Sequence, residues 1–416
     1  MSRKNDRAEL LAPAGNFEKL EIAVHFGADA VYLANKEFSL RNYSGNFTLD
    51  EINNAVSFAH RHDVSVYVAC NIYSRNVEQD AIREYLGQLR DIGPDALIVA
   101  DPGIIQSVKE ILPGMSIHLS TQANTTNFQA VLFWESLGIK RVNVARELSL
   151  SEIKEISEKC SAEIEAFVHG AMCISYSGRC LLSTFLSNRD SNRGMCTHPC
   201  RWNYAVVEEL RPGEYMPFSE DDRGSYIFNS KDLCMIGHIP DMINAGIDSL
   251  KIEGRMKGIN YLATTVKIYR EAMDLFYDDP DHYALKTRWV EELSHVNNRC
   301  YSTGFYLGGP DHVSEQTSPN HTNFKPLSGH RFVGKIIRGE DPLSQLSTIE
   351  VRNKIFKHDR VEVLKKTGPL AKDRIKTIVD ADGTSVEFAQ PGSIVNIEMT
   401  NTYSANDLIR RIGEDP

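Results

Sequence analysis

The sequence predicts an α/β fold: a (β/α)8 TIM-like barrel with a cysteine-bearing insertion after strand 7, then a small C-terminal all-β barrel. Three observations carry this. Between Glu9 and Phe276, short apolar runs alternate eight times with amphipathic segments, the count and roughly the length of such a barrel. Polar residues gather where the strands end: Asn35, Asn71, Asp101, Thr121, Gln122, Arg146, His169, Glu253 and Arg255. From Gly329 onward the apolar period changes to two, with a turn at Asp382-Gly383, as in small barrels. A doubly wound open sheet shares the alternation but usually has fewer strands.

Taken in order, strands are expected at Glu9–Ala12, Ala30–Ala34, Ser65–Asn71, Ala96–Asp101, Ile117–Thr121, Arg141–Arg146, Glu163–His169 and Ser249–Glu253. Helices follow at Phe17–Phe26, Leu49–Arg61, Gln79–Ile92, Gly103–Ile111, Phe128–Leu137, Leu150–Lys159, Leu233–Asn244 and Tyr261–Phe276. Thr48 and Ser149 stand where N-caps belong, and Gly27, Gly93, Gly138 and Gly246 lie just past helix ends. Residues 1–310 thus form the barrel, with an insertion at 170–231, and 311–328 read as a linker. Residues 329–416 form the β domain, with strands at Phe332–Ile337, Ser347–Val351, Arg360–Leu364, Ile375–Val379 and Ile394–Met399.

Five of the eight cysteines fall between Cys173 and Cys234. Such clustering calls for metal ligation, disulfides or redox work. No apolar run reaches the roughly 18 residues of a membrane span, and residues 1–6 lack a signal core. The chain is therefore expected to be cytoplasmic, a setting in which disulfide frameworks are rare. Metal ligation or catalysis is then the reading of the cluster. Six residues separate Cys173 from Cys180, fifteen lead to Cys196, three to Cys200 and thirty-three to Cys234. This lacks the paired short gaps of zinc ribbons and ferredoxins. Four thiolates with a fifth to spare suit either an iron–sulfur cluster or a tetrahedral zinc. The expected geometry folds the insertion back so that Cys234, opening helix seven, meets the other sulfurs over the barrel mouth.

The net charge of −10 argues against a general nucleic-acid coat. From Lys325 on, however, 15 Lys/Arg stand against 13 Asp/Glu, a net of +2, leaving −12 for the residues before it. Arg352, Lys354, Lys357 and Arg360 form the centre of this basic stretch. They mark where RNA contact would fall, although a solvated strand face gives the same pattern.

Within the barrel, His169 could act as a base or ligand, or sit hydrogen-bonded as a structural histidine. Glu165 lies on an apolar strand and needs a cationic partner. Lys251, Glu253 and Arg255 alternate along strand eight and so share one side. Arg41 and Arg146 join them as candidates for a carboxylate-bearing ligand, since guanidinium pairs with carboxylate bidentately.

Six stretches make a resemblance specific: Glu9-Leu-Leu-Ala-Pro-Ala-Gly15, Gly27-Ala-Asp-Ala-Val-Tyr-Leu33, Glu165-Ala-Phe-Val-His-Gly170, Cys173-Ile-Ser-Tyr-Ser-Gly-Arg-Cys180-Leu-Leu-Ser183, Ser249-Leu-Lys-Ile-Glu-Gly-Arg255 and Tyr301-Ser-Thr-Gly-Phe305. With the β-rich tail, the chain resembles peptidase family U-thirty-two, the collagenase-like group, over nearly its whole length. Proteolysis would need a nucleophile or metal motif, and the sequence has neither a Gly-x-Ser-x-Gly elbow nor a His-Glu-x-x-His helix. The chain is most similar to the branch that hydroxylates tRNA. The resemblance implies prephenate-dependent, oxygen-independent 5-hydroxylation of wobble uridine, with a 4Fe–4S cluster on Cys173, Cys180, Cys196 and Cys234, Cys200 being the alternate to Cys196. From the residues themselves, Glu165, His169, Lys251 and Glu253 are the catalytic candidates, and Arg41, Arg146 and Arg255 the substrate-binding ones. The expected partners are the tRNA anticodon region, a small carboxylate co-substrate and another copy or paralogue in an oligomer, with no membrane. A peptidase and a zinc-stabilised RNA-binding accessory factor are the alternatives.

Overall fold

In a computed structural model, the protein is described over residues 7–36, 38–39, 45–173, 175–201, 205–207, 215–217, 231–296, 301–308, 330–341 and 346–413. Eight parallel strands close a barrel: β1 Glu9–Pro13, β2 Ala30–Ala34, β3 Ser65–Cys70, β4 Ala96–Val99, β5 Ser116–Leu119, β6 Arg141–Asn143, β7 Glu163–Ala171 and β8 Ser249–Ile252. Closure comes from β8, which pairs with β1 (Glu9 with Ser249) and with β7 (Ser249 with Glu165). The closed sheet excludes the open doubly wound alternative.

The helices that alternate with these strands are α1 Phe17–His25, α2 Leu49–His60, α3 Gln79–Ile92, α4 Pro102–Ile111, α5 Phe128–Ser136, α6 Leu150–Lys159, α7 Ile239–Asn244 and α8 Ile259–Asp278. Local chemistry sets their ends. Thr48 and Ser149 close capping boxes with Glu51 and Glu152, satisfying backbone donors that the first turn leaves orphaned. Gly93 ends α3 in the left-handed conformation.

The expected helix over Leu233–Asn244 forms only from Ile239, after a 3-10 turn. Asp232–Cys234 is instead a short strand, antiparallel to the end of β7, with Cys234 opposite His169. Apolar Leu233 and Met235 fit either period, and the exposed edge of β7 decides for the strand. That edge exists because β7 does not stop at Gly170 as the sequence suggested. Gly170 has φ +105°, and a Cβ there would lie 2.5 Å from the Glu253 carbonyl oxygen. A glycine lets the strand pass at this distance. Within the insertion, Ala205–Val207 pairs antiparallel with Tyr215–Pro217.

The tail is a seven-stranded antiparallel sheet, curved as a half-barrel. It includes Ala371–Arg374 and Leu408–Ile412, which the pattern did not reveal. Its own core holds Val333, Ile336, Ile349, Val361, Ile378 and Ile397. Leu364 and Leu408 instead join the core of the barrel domain. Polar contacts lock the same seam. Arg410 donates to Asn260 and Thr264 on α8, Lys335 pairs with Glu18 on α1 at 3.1 Å, and His25 meets Asp407 at 3.1 Å.

Candidate active site at the barrel mouth

Alternation along the strands sends one set of side chains into the barrel. On the β1–β4 side the interior is apolar or aromatic, with Leu11, Ala30, Tyr32, Tyr67, Ala69 and Ile98. On the β5–β8 side it is charged. Lys251 Nζ lies 2.6 Å from Glu165 Oε1, and both side chains are almost wholly buried. Asn143 donates to the same oxygen at 2.8 Å. Beneath them Arg141 pairs with Glu9 at 2.7 Å and Glu163 at 2.7 Å, and its guanidinium reaches Glu165 at 3.7 Å. Ser249 and Tyr67 also donate to Glu9.

Barrel interiors are ordinarily filled by branched apolar residues, so this network is unusual. Burial pulls the Lys251 ammonium below its ordinary range, and the Glu165 carboxylate beside it resists the change. Burial also works against the Arg141 charge, but Glu9 and Glu165 outweigh it and hold the guanidinium charged. His118, edge-on to Tyr67, is kept neutral by burial and by the positive charges of Arg141 and Lys251. A buried ion pair of this kind brings little net stability, because desolvation offsets the Coulombic gain.

Above this floor a cavity of about 60 Å³ opens at the C-terminal ends of the strands, where barrel enzymes keep their chemistry. Lys251, Glu253 and Arg255 line it from β8, as the alternation predicted, with Arg146 and Asn143 from the β6 end. Ser120, Thr121, Gln122 and Asn71 complete the polar wall, and Tyr32 and Phe167 the aromatic one. The Arg146 guanidinium stacks 4.0 Å over Phe167, and Lys251 Nζ lies 4.6 Å over Tyr32. Arg146 Nε and Asn143 Oδ1 are buried with no hydrogen-bond partner among the described residues. Groups so placed are ready for a polar ligand. Asn143 and Arg141 escaped sequence reasoning, yet the polar-apolar-polar run Arg141-Val-Asn143 carried the signal.

His169 is not part of this cavity. The β7–β8 register jumps one residue at Val168, between the Lys251 and Ile252 pairings. This bulge reverses the side-chain alternation, so Glu165 and Phe167 face inward while His169 turns to the helix layer. There it sits among Tyr261, Tyr269 and Tyr301, with Nδ1 3.3 Å from the Tyr269 hydroxyl. Burial pushes its pKa down to about 3. Arg41 lies outside the described residues.

The segment 173–201 packs on one rim of the mouth. Gly178 has φ +73°, and a Cβ there would meet the Gln122 carbonyl oxygen at 2.2 Å. Ser177 N donates to Glu147 at 2.7 Å, and Arg193 clamps Glu78 and the Tyr73 carbonyl. Arg193 thus anchors the segment. Exposed Cys173 lies 3.8 Å from Arg146 Nη1. Cys180, Cys196 and Cys200 are partly buried, and the Cys180 carbonyl is held by Ser191 and Asn192. Cys234 is buried behind β7, 3.9 Å from the Tyr269 hydroxyl, and burial raises its thiol to about 11.

Thiolate ligands must reach about 2.3 Å from one ion. Among the described residues no three Cys, His, Asp or Glu side chains are placed to hold a metal. Cys173, Cys180, Cys196 and Cys200 lie on the rim segment, and Cys234 lies behind β7. The strand at Asp232–Cys234 places Cys234 opposite His169 instead of at the start of a helix.

In the tail, Arg352 pairs with Glu18 and Glu350, and Lys357 with Glu387 at 3.4 Å. Lys354 lies over Phe356 and Phe388, and Arg360 is exposed.

The model of Peptidase family U32 matches residues 15–316, and that of its C-terminal domain matches 328–410. The chain belongs to this family. It is 41% identical over 409 residues to the tRNA hydroxylation protein P1 of Bacillus subtilis (strain 168), covering 97% of this chain and 95% of the relative. It is 36% identical to the tRNA hydroxylation protein P of Escherichia coli (strain K12), over 92% of this chain and 94% of the relative. A 23S rRNA 5-hydroxycytidine synthase of Escherichia coli is 32% identical, over 67% of this chain and 41% of the relative. No helix among the described residues is long and apolar enough to cross a membrane.

Proposed function

We propose that the protein is an RNA-hydroxylating enzyme that converts the wobble uridine of tRNA to 5-hydroxyuridine without oxygen, with prephenate as hydroxyl donor. The observation that carries this reading is the cavity itself, in which Arg146, Lys251 and Arg255 meet at the strand ends of a family whose relatives are named for tRNA hydroxylation. Replacing C5–H by C5–OH removes two electrons from the base, so the donor must take them up in the same turnover. A dicarboxylate donor would find its charge partners in those three cations. Glu165 and Asn143 fix Lys251 from below, and Tyr32 and Phe167 exclude water from the sides.

The RNA would reach the mouth as an unstacked base, since anticodon nucleotides are single-stranded and read by stacking and by their edges. Lys354, Lys357 and Arg360 are the tail residues offered to the phosphates. The iron–sulfur cluster expected from Cys173, Cys180 and Cys196 or Cys200, with zinc as its alternative, lies outside the derived chemistry. Metal analysis after anaerobic purification tests it directly. The function is tested by deleting the gene and measuring 5-hydroxyuridine-derived nucleosides in tRNA by mass spectrometry. Their loss is expected; unchanged levels in a strain without a paralogue, or gelatin cleavage by the purified protein, would overturn the reading.

A further inference from the structure

We propose that Lys251 is a carbonyl-reactive amine that binds a 2-oxo acid covalently, as a Schiff base, at the floor of the mouth cavity. Three features meet at this side chain. It ends inside the cavity on rigid β8, almost wholly buried. A carboxylate oxygen of Glu165 lies 2.6 Å away, in position to take a proton from the ammonium and return it. Arg146 and Arg255 line the same cavity and suit the carboxylate that a 2-oxo acid carries next to its carbonyl. Burial also lowers the cost of the neutral amine, which is the nucleophile.

The step balances without an oxidant. The ammonium gives one proton to Glu165, and the amine nitrogen bonds to the carbonyl carbon. The resulting carbinolamine, its oxygen protonated from the nitrogen, loses hydroxide. Glu165 returns its proton to that hydroxide, leaving a protonated imine, water and the original carboxylate. Arg141 and Asn143 act through Glu165 and are positioning residues.

The inference rests on the proposed function only in assigning an anionic small molecule to this cavity, and its test needs no RNA. The full-length protein is incubated with pyruvate or phenylpyruvate and sodium cyanoborohydride, then mapped by peptide mass spectrometry. The expected result is a stable adduct on Lys251, heavier by the acid less one oxygen, formed at least 10-fold faster than on any other lysine. It is lost in Lys251→Arg. In Glu165→Gln the pH profile of trapping moves to lower pH, because the carboxylate that favours the ammonium is gone. A role for Glu165 in folding alone would not move that profile. No adduct, or labelling of Lys251 no faster than that of exposed lysines, overturns the inference. An adduct in a protein whose deletion leaves tRNA unaltered would sink the hydroxylation reading and keep this one.

Discussion

Glu165 shows at the smallest scale how this barrel trades stability for a charged interior. Its carboxylate serves Lys251, Asn143 and, more distantly, Arg141. Truncation strands a buried ammonium, which typically costs about 3–5 kcal/mol, while replacing both partners by apolar groups is often neutral. Glu165→Ala is therefore expected to lower unfolding free energy by that amount in urea titrations, and adding Lys251→Met should recover most of it. His169 makes the second residue-scale prediction. Its folded pKa of about 3 lies below the ordinary 6.5, so the unfolded chain binds the proton more readily. Its contribution is complete above pH 6.5 and is lost as pH falls toward 3, at about 1.4 kcal/mol per unit. A His169→Gln variant should lose less stability than the native protein across that window. At this scale the sequence was legible where strand alternation held, as for Lys251 and Glu165. It left His169 open between a base or ligand and a structural histidine, because no local pattern announced the extra residue at Val168.

Among elements, the segment 173–201 owes its position to one glycine and one arginine. Gly178 combines a left-handed backbone with contact against Gln122, and a Cβ in that conformation alone costs about 1–2 kcal/mol. Gly178→Ala should raise hydrogen exchange over residues 175–193 at least 10-fold while the amides of β1–β6 keep their protection. Equal exchange in both proteins would mean that the segment is held by other contacts. The helices of the barrel were legible from caps and period, α3 and α6 to the residue. The stretch opening α7 was not, since Leu233 and Met235 satisfy two periods and only the neighbouring edge of β7 chooses between them.

Across the whole molecule, the tail is fastened to the barrel through Arg410, Lys335, Arg352 and two leucines. Two domains so joined should unfold together in calorimetry. Arg410→Ala removes its charged hydrogen bonds to Asn260 and Thr264, each worth about 1.5–3 kcal/mol. It should split the trace, with the tail melting first. A single unshifted transition would show that Arg410 does not carry the coupling. The seam also sorts the basic stretch. Arg352→Ala should act on stability, whereas Arg360→Ala should weaken tRNA binding and lower its salt slope by about one ion. The sequence revealed two domains and missed Leu408–Ile412, because two adjacent arginines in five residues do not read as a buried strand. The surface of α8 explains Arg410, and Asp359 with the Lys354 carbonyl explains Arg411.

The bulge at Val168 divides one strand between two tasks: its first half faces the ligand and its second half bolts the wall to the outer layer. A chain shortened by that single valine would swing the imidazole of residue 169 into the opening. Register at one position, rather than the identity of any side chain, thus determines whether this barrel presents a histidine to its ligand.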